Sequence, residues 1–263
     1  MALTSEQIRE IAHALHKAEH DRHPLPPLTE EYPGIEVADA YAIQIEGIRE
    51  RIAAHGGKIA GWKVGLTSKA MQKMLNVEEP DFGHLLDSMR LDEGVEVDCS
   101  EFIWPRVEPE VAFQLKADLK GPGVTADEVL AATEYVMPAL ELIDSRIKDW
   151  KIKLCDTIAD NASCGRFVIG SRRTPPGGFD IRLIGMNYSV DGHLVSTATS
   201  AAVIGNPAEA VAWLANTLAQ FGHYLEAGQV VMPGSLVAAV DAKPGAHVRA
   251  DFDHLGSVEL RFK

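Results

Sequence analysis

Several absences narrow the reading before any motif is found. No apolar run reaches the roughly 18–20 residues that a membrane-spanning helix needs, so no membrane partner is expected. The stretch Met1 to Glu10 lacks the basic patch and apolar core of a signal peptide, and a cytoplasmic location is expected. Cysteine is scarce. Cys99, Cys155 and Cys164 are odd in number and widely spaced, which fits neither a disulfide framework nor a zinc site. Positive charge is short as well: 25 lysines and arginines stand against 38 acidic residues, a formal net charge of −13. No basic stripe with interleaved aromatics appears, so a nucleic-acid partner is excluded. A glycine-rich dinucleotide loop, an internal repeat and low-complexity sequence are also missing.

What is present suits a globular enzyme. The 263 residues are 46% hydrophobic, enough for a sizeable core. Thr4 and Gln7 form a capping-box pattern ahead of an apolar stripe at Ile8, Ile11, Ala12 and Leu15. A proline-rich loop over 23–34 follows, then a helix from about Val37 to Ala54 with Tyr41, Ile45, Ile48 and Ile52 on one side. Gly56 and Gly57 stop it. The spacing predicts a strand over 59–66, then a short helix capped by Thr67 or Ser68 and carrying Ala70, Met71, Met74 and Leu75. Thr125 with Glu128, and Asn206-Pro207 with Glu209, open further helices. Strand-length apolar segments lie at 111–115, 135–143, 167–169 and 230–232, and Asp191-Gly192 marks a hairpin. Val258, Leu260 and Phe262 alternate with charge in the last strand. Helices and strands do not alternate regularly, so the class is α+β: a helical N-terminal segment over 1–57 packed on a mixed, strand-rich unit over 58–263.

The chemistry concentrates at three glutamates. Glu108 and Glu110 sit two apart as a strand begins, and side chains two apart on a strand share a face. Glu141 lies in Val136-Met137-Pro138-Ala139-Leu140-Glu141-Leu142-Ile143, apolar on both faces and therefore buried. A buried, unpaired carboxylate costs several kcal/mol or becomes neutral. A shared hard cation, Mg²⁺ or Mn²⁺, resolves that cost better than zinc. The plainer alternative makes Glu108 and Glu110 surface charges and pairs Glu141 with a basic residue such as Arg146. His13, His16 and His20, with Glu19, share one side of the first helix, where a solvated face is expected rather than a zinc site.

An ordered set of segments carries a resemblance. These are Gly61-Trp62-Lys63-Val64-Gly65-Leu66-Thr67-Ser68, Glu79-Pro80-Asp81-Phe82-Gly83, the Glu-x-Glu at 108–110, and Glu141-Leu142-Ile143-Asp144-Ser145-Arg146. Asp149-Trp150-Lys151-Ile152-Lys153, Asp160-Asn161-Ala162-Ser163, Gly234-Ser235 and Leu255-Gly256-Ser257-Val258 complete it. Together they resemble the 2-keto-4-pentenoate (2-hydroxypenta-2,4-dienoate) hydratases of the fumarylacetoacetate-hydrolase-like superfamily, over nearly the whole chain. Pro109, between the two glutamates, departs from the small or branched residue expected there and suggests a strand start or edge.

The resemblance implies a mixed β-roll or barrel core with surrounding helices, and bound Mg²⁺ or Mn²⁺. It also implies a homo-oligomer built on five-fold rings, a small 2-oxo acid substrate and a downstream aldolase as partner. Glu108, Glu110 and Glu141 match the family's metal ligands, and Lys63 and Asp81 its polar catalytic residues. Leu66, Thr67, Ser68, Ser163 and Ser235 match its substrate-binding surroundings. The reaction implied is hydration of 2-hydroxypenta-2,4-dienoate to 4-hydroxy-2-oxopentanoate, with the cation as Lewis acid. Three glutamates and one dication sum to −1, so an anionic substrate needs another cation. Lys63 is the candidate; a snorkelling surface lysine is the alternative. Asp81 is an acid–base candidate or a plain turn residue, and His84 a weaker candidate for proton transfer. Three alternatives stay open: decarboxylation of 4-oxalocrotonate on the same scaffold, hydration of a longer 2-oxo-heptenedioate, and a non-catalytic partner of a pathway enzyme.

Overall fold

The structure is a computed structural model that describes residues 3–68, 72–73 and 77–263. The short helix expected around Ala70 to Leu75 falls largely outside those residues. Two helices open the chain: α1 (Ser5–Asp21) and, after a one-turn α2 (Leu28–Glu31), α3 (Val37–His55). The Thr4 hydroxyl accepts the Gln7 N–H at 3.2 Å and the Gln7 side chain accepts the Thr4 N–H at 2.9 Å, so the expected capping box forms. α1 buries Ile11, Ala12, Leu15 and Ala18. Gly56, at φ 73°, ends α3 where a side chain would be strained.

Two sheets follow. The larger runs in the order β2-β1-β10-β5-β6-β7-β3: β1 (Ile59–Gly65), β2 (Asp81–Leu86), β3 (Arg90–Leu91), β5 (Arg106–Leu115), β6 (Thr133–Ile143), β7 (Cys164–Ile169) and β10 (Val230–Met232). β11 (Val240–Asp241) adds to the start of β5. The smaller has the order β4-β13-β12-β8-β9, from β4 (Glu96–Val97), β8 (Gly185–Val190), β9 (His193–Thr199), β12 (His247–Phe252) and β13 (Gly256–Phe262). Helices α4 (Ala126–Ala132), α5 (Leu154–Ala159) and α6 (Pro207–Leu218) lie between strands. Thr125 and Asn206 cap α4 and α6 as their sequences predict.

Alternation assigns the faces of the large sheet. Trp62, Val64, Phe82, Val107, Val111, Phe113 and Val231 point outward into the main core, shared with Tyr188, Val248, Val258 and Leu260 of the second sheet. Ala112, Met137, Ala139, Phe167 and Met232 point inward and form a smaller apolar cluster. Lys63, Asp81, Glu108, Glu110 and Glu141 fall on this inner face by the same parity.

Strand direction then decides where loops gather. β10 is parallel to β1 and antiparallel to β5, while β2 and β6 run opposite to β1 and β5. The end of β1, the start of β2, the start of β5, the ends of β6 and β10 and the start of β7 therefore share one end of the sheet. That end carries every segment of the resemblance except the C-terminal one.

Pro109 lies mid-strand rather than at a strand start or edge, opposite Leu140. Its carbonyl accepts Leu236 N–H at 3.1 Å, so its backbone faces the 233–239 loop, between the stretches of β5 that β10 and β11 cover. The missing N–H falls where no ladder bond is needed.

Candidate active site

Glu108 and Glu141 are direct cross-strand partners, and Glu110 stands opposite Ala139, two residues before Glu141. Facing pairs of an antiparallel ladder share a side, so register alone converges the three carboxylates. One oxygen from each lies within 4.8 Å of the others. Glu110 and Glu141 are 0% exposed; Glu108 is half-buried towards the open end. Glu110 Oε2 accepts the Gly234 N–H at 2.8 Å. Glu110 Oε1 and both Glu141 oxygens have no hydrogen bond. Burial pushes the Glu108 carboxyl up to about 7, with Glu141 adding repulsion, and drives Glu110 well above the carboxylate range for the same reasons. Orphaned oxygens, like charge and an all-oxygen donor set fit a hard divalent cation.

Lys63 completes the charge pattern. Its ammonium is 3.3 Å from Glu141 Oε2, an ion pair without hydrogen-bond alignment, and donates to the Ala162 carbonyl at 2.9 Å. β1 and β6 are three strands apart, about 14 Å in a flat sheet, so this contact requires the sheet to curl into a half-barrel around its inner face. At 4% exposure Lys63 is not a snorkelling residue. Burial opposes its charge, but Glu141, Asp81 and Glu108 outweigh burial and hold the ammonium above the ordinary lysine range.

Asp81 is the first residue of β2, not a turn residue, and pairs with Gly65. A Cβ on Gly65 would stand 2.2 Å from Asp81 Oδ1, so the carboxyl occupies space that only glycine leaves. Asp81 Oδ2 accepts the Thr157 hydroxyl at 3.3 Å, and Oδ1 has no partner. Burial raises its pKa, against the pull of Lys63.

The Ala162 carbonyl reaches Lys63 through a strained turn. Asn161, Ala162 and Ser163 have φ of 53°, 48° and 56°, a left-handed run costing about 1–2 kcal/mol per residue. Asn161 anchors it by pairing with both backbone groups of His84: Oδ1 accepts the N–H at 2.7 Å and Nδ2 donates to the carbonyl at 3.0 Å. Gly83 permits this approach, since a Cβ there would lie 2.6 Å from the Asn161 carbonyl oxygen. Ser163 Oγ is buried at the open end without a partner.

The remaining expected residues occupy the rim. Leu66 is left-handed (φ 57°) and its carbonyl accepts Gln72 Nε2 at 2.9 Å. Thr67 packs against Gly234 (φ +120°), where a Cβ would stand 2.0 Å from Thr67 Oγ1. Ser68 follows, half-buried. The Ser235 hydroxyl donates to Val237 O at 2.7 Å, so it is turned to its own loop. Sequence reasoning did not find the Gly234 amide, the Ala162 carbonyl or Thr157, because a backbone group or a lone hydroxyl leaves no spacing pattern. The plainer alternative, a Glu141–Arg146 pair, does not form: Arg146 bonds Asp160 instead. His13 and His16 contact Glu50, and among the described residues only the three glutamates form a metal-competent group.

A sequence profile of the fumarylacetoacetate (FAA) hydrolase C-terminal family matches residues 72–263. The chain belongs to that family. It is 47% identical over 250 residues to a 2-hydroxyhexa-2,4-dienoate hydratase of Comamonas testosteroni, covering 94% of each chain. It is 42% identical over 261 residues to a 2-keto-4-pentenoate hydratase of Paraburkholderia xenovorans, covering 99% of this chain and 97% of that one. Its structure matches that of 4-oxalocrotonate decarboxylase from Pseudomonas putida G7, complexed with magnesium and adipate, at TM-score 0.96 and 40% identity, over 100% and 99% of the chains. The expected fold class stands. No helix of the described residues is long and apolar enough to cross a membrane.

His84 is not a proton carrier of this centre. It lies opposite Trp62, on the outer face, 4% exposed. Gln44 Nε2 donates to Phe82 O and Ile158 O, which leaves Gln44 Oε1 to accept from His84 Nδ1–H at 2.9 Å. Burial, with a contribution from His223, lowers the His84 pKa to about 3. Below its ordinary value near 6.5 the unfolded chain binds a proton that the folded one refuses, so stability is lost as pH falls from about 6.5 towards 3. At pH 5 that loss is about 2 kcal/mol. Denaturant melts of His84→Gln are expected to show a flatter pH dependence between pH 7 and 5 than the wild type, at about the slope of one fewer proton; equal slopes would refute the assignment.

Proposed function

We propose that this chain is a divalent-metal-dependent hydratase that converts 2-hydroxypenta-2,4-dienoate (2-oxopent-4-enoate) to 4-hydroxy-2-oxopentanoate. The observation that carries the reading is the convergence of three carboxylates, two of them with orphaned oxygens, beside one buried ammonium, at the open end of a curled sheet. Relatives named as hydratases over almost the entire chain support it.

Glu108, Glu110 and Glu141 hold Mg²⁺ or Mn²⁺ in this reading. The bound ion supplies Lewis-acid polarisation of the substrate's 2-oxygen. Lys63 supplies the positive charge that an acid needs beside four carboxyl groups, its Nζ fixed by the Ala162 carbonyl. Ketonisation of the dienol moves a proton to carbon five as the 2-hydroxyl loses its own; water then delivers hydroxyl to carbon four and a proton to carbon three. Asp81 is the proton carrier. Its raised pKa brings it nearer the range where a carboxyl both gives and takes a proton, and its Oδ1 is unbonded. The free Ser163 hydroxyl binds the substrate or the attacking water. A homo-oligomer and a downstream aldolase complete the proposal.

The test is spectroscopic. Purified protein with Mg²⁺ is expected to remove the dienol absorbance of 2-hydroxypentadienoate, and to stop when the metal is chelated. The decarboxylase match favours a second reading. Carbon dioxide release from 4-oxalocrotonate with no loss of dienol absorbance would establish it instead.

A further inference from the structure

The inner face of β5 and β6 is graded along its length. Ala112 and Met137 close the floor, Glu110 and Ala139 come next, then Glu108 with Glu141, and the outermost rung is Arg106 opposite Ile143. Exposure follows the order: Glu110 is fully buried, Glu108 half-buried, and the Arg106 side chain 30% exposed. Arg106 is therefore the first charged side chain beyond the carboxylates towards solvent, on their own face, and its field is felt at Glu108.

This guanidinium is held in place. Its carbon lies 4.6 Å from the centre of the Trp150 ring and 5.2 Å from that of Trp104. Its Nε donates to Asp241 Oδ1 at 3.2 Å, the oxygen that also accepts the Trp104 indole N–H. Asp149 and Trp150 have φ of 58° and 54°, so backbone strain is accepted to place the Trp150 ring there. Nη1 and Nη2 bond no group among the described residues, so a planar fork of donors is left open at the mouth.

Charge gives that fork a task. The chain carries a net −13, and the centre behind Arg106 sets three glutamates and Asp81 against one dication and Lys63, a residual −1 that still repels an incoming acid. The floor is sealed by apolar packing, so an acid enters past the outer rung. We propose that Arg106 is the substrate-capture residue: its open fork draws the carboxylate of the 2-oxo acid to the mouth before the acid reaches the centre. The ligand class rests on the hydratase reading above, but the capture step does not require turnover.

Oxalate, a two-carbon 2-oxo acid mimic, is the probe. Its association with Mg²⁺-loaded protein is followed by stopped-flow tryptophan fluorescence. Arg106→Gln is expected to slow association roughly three- to ten-fold at low salt. The deficit should largely vanish at about 0.5 M salt, where the Debye length is only a few Å. Arg106→Lys, which keeps the charge, retains most of the wild-type rate. Asp241→Asn, at an exposed position, removes the competing negative charge and is expected to speed association about two-fold at low salt. This arm stands even if Arg106→Gln folds poorly. Wild-type rates in Arg106→Gln, a deficit that persists undiminished at high salt, or an Asp241→Asn rate at or below wild type would each overturn the proposal. Salt-dependent capture without hydration would sink only the hydratase reading; hydration with salt-independent association would sink only this one.

Discussion

Replacing Glu110 with glutamine is expected to abolish turnover and Mg²⁺ binding while making the metal-free protein more stable. The two effects share a cause. Glu110 is completely buried, one oxygen is orphaned, and Glu141 and Glu108 oppose its ionisation. Without a cation the site is a stack of unsatisfied carboxyl groups, and burying such a group costs about 1–3 kcal/mol or more. Glutamine preserves the shape and can still accept the Gly234 N–H, but adds no charge. The metal-free variant should gain about 1–2 kcal/mol, which is about 2–8 °C in Tm for a chain of this size. The wild type should gain about 2.7 kcal/mol from Mg²⁺ at a hundred times its Kd; the variant should gain almost nothing. Thermal melts with and without Mg²⁺ read both effects. A Glu110→Gln protein that keeps the Mg²⁺-dependent rise would remove Glu110 from the centre.

The shared face of Glu108 and Glu110 was legible because period-two alternation is a local property of 106–115. That Glu141 joins them depends on the antiparallel pairing of β5 with β6, a tertiary feature for which the resemblance, not the spacing, supplied the expectation. The helix starts were legible through Thr4, Thr125 and Asn206, each a side chain with a specific bond to make. Asp81 was harder. Pro80-Asp81-Phe82-Gly83 has turn chemistry, yet β1 recruits it residue by residue into a strand, a tertiary preference overriding a local one. β12, which alternates buried Val248, Ala250 and Phe252 with charged Arg249 and Asp251 just after the Pro244-Gly245 turn, carried a readable period and a turn signal that the sequence reading left unassigned.

Other features could not be read at all. A left-handed Asn161-Ala162-Ser163 run contradicts the preferences of alanine and serine; its anchoring on His84, the bond from Asp144 N–H to the Ser163 carbonyl and the bond from Lys63 to the Ala162 carbonyl sustain it. Arg146 bonds Asp160 and the carbonyls of Asp144 and Cys164, tying the end of β6 to the start of β7. That choice of partner, rather than Glu141, frees Glu141 for the centre. Sequence spacing cannot decide between two buried carboxylates for one arginine; the fold decides by distance.

Lys63→Met separates the two charges of the site. The Lys63 ammonium lies 3.3 Å from Glu141 and competes with a dication for the same carboxylates. Removing it should leave Mg²⁺ affinity equal to or several-fold tighter than that of the wild type, since a like charge has gone. Turnover should nevertheless fall by about 10²–10⁴, because the substrate acid loses its only buried positive partner among the described residues of the centre and Asp81 loses the charge that restrains its pKa. Calorimetric titration with Mg²⁺ alongside the absorbance assay distinguishes this from the Glu110→Gln outcome, where binding and turnover disappear together. Should Lys63→Met lose Mg²⁺ as well, the lysine is a structural support of the carboxylates; should it turn over normally, the positive charge that admits the acid comes from elsewhere.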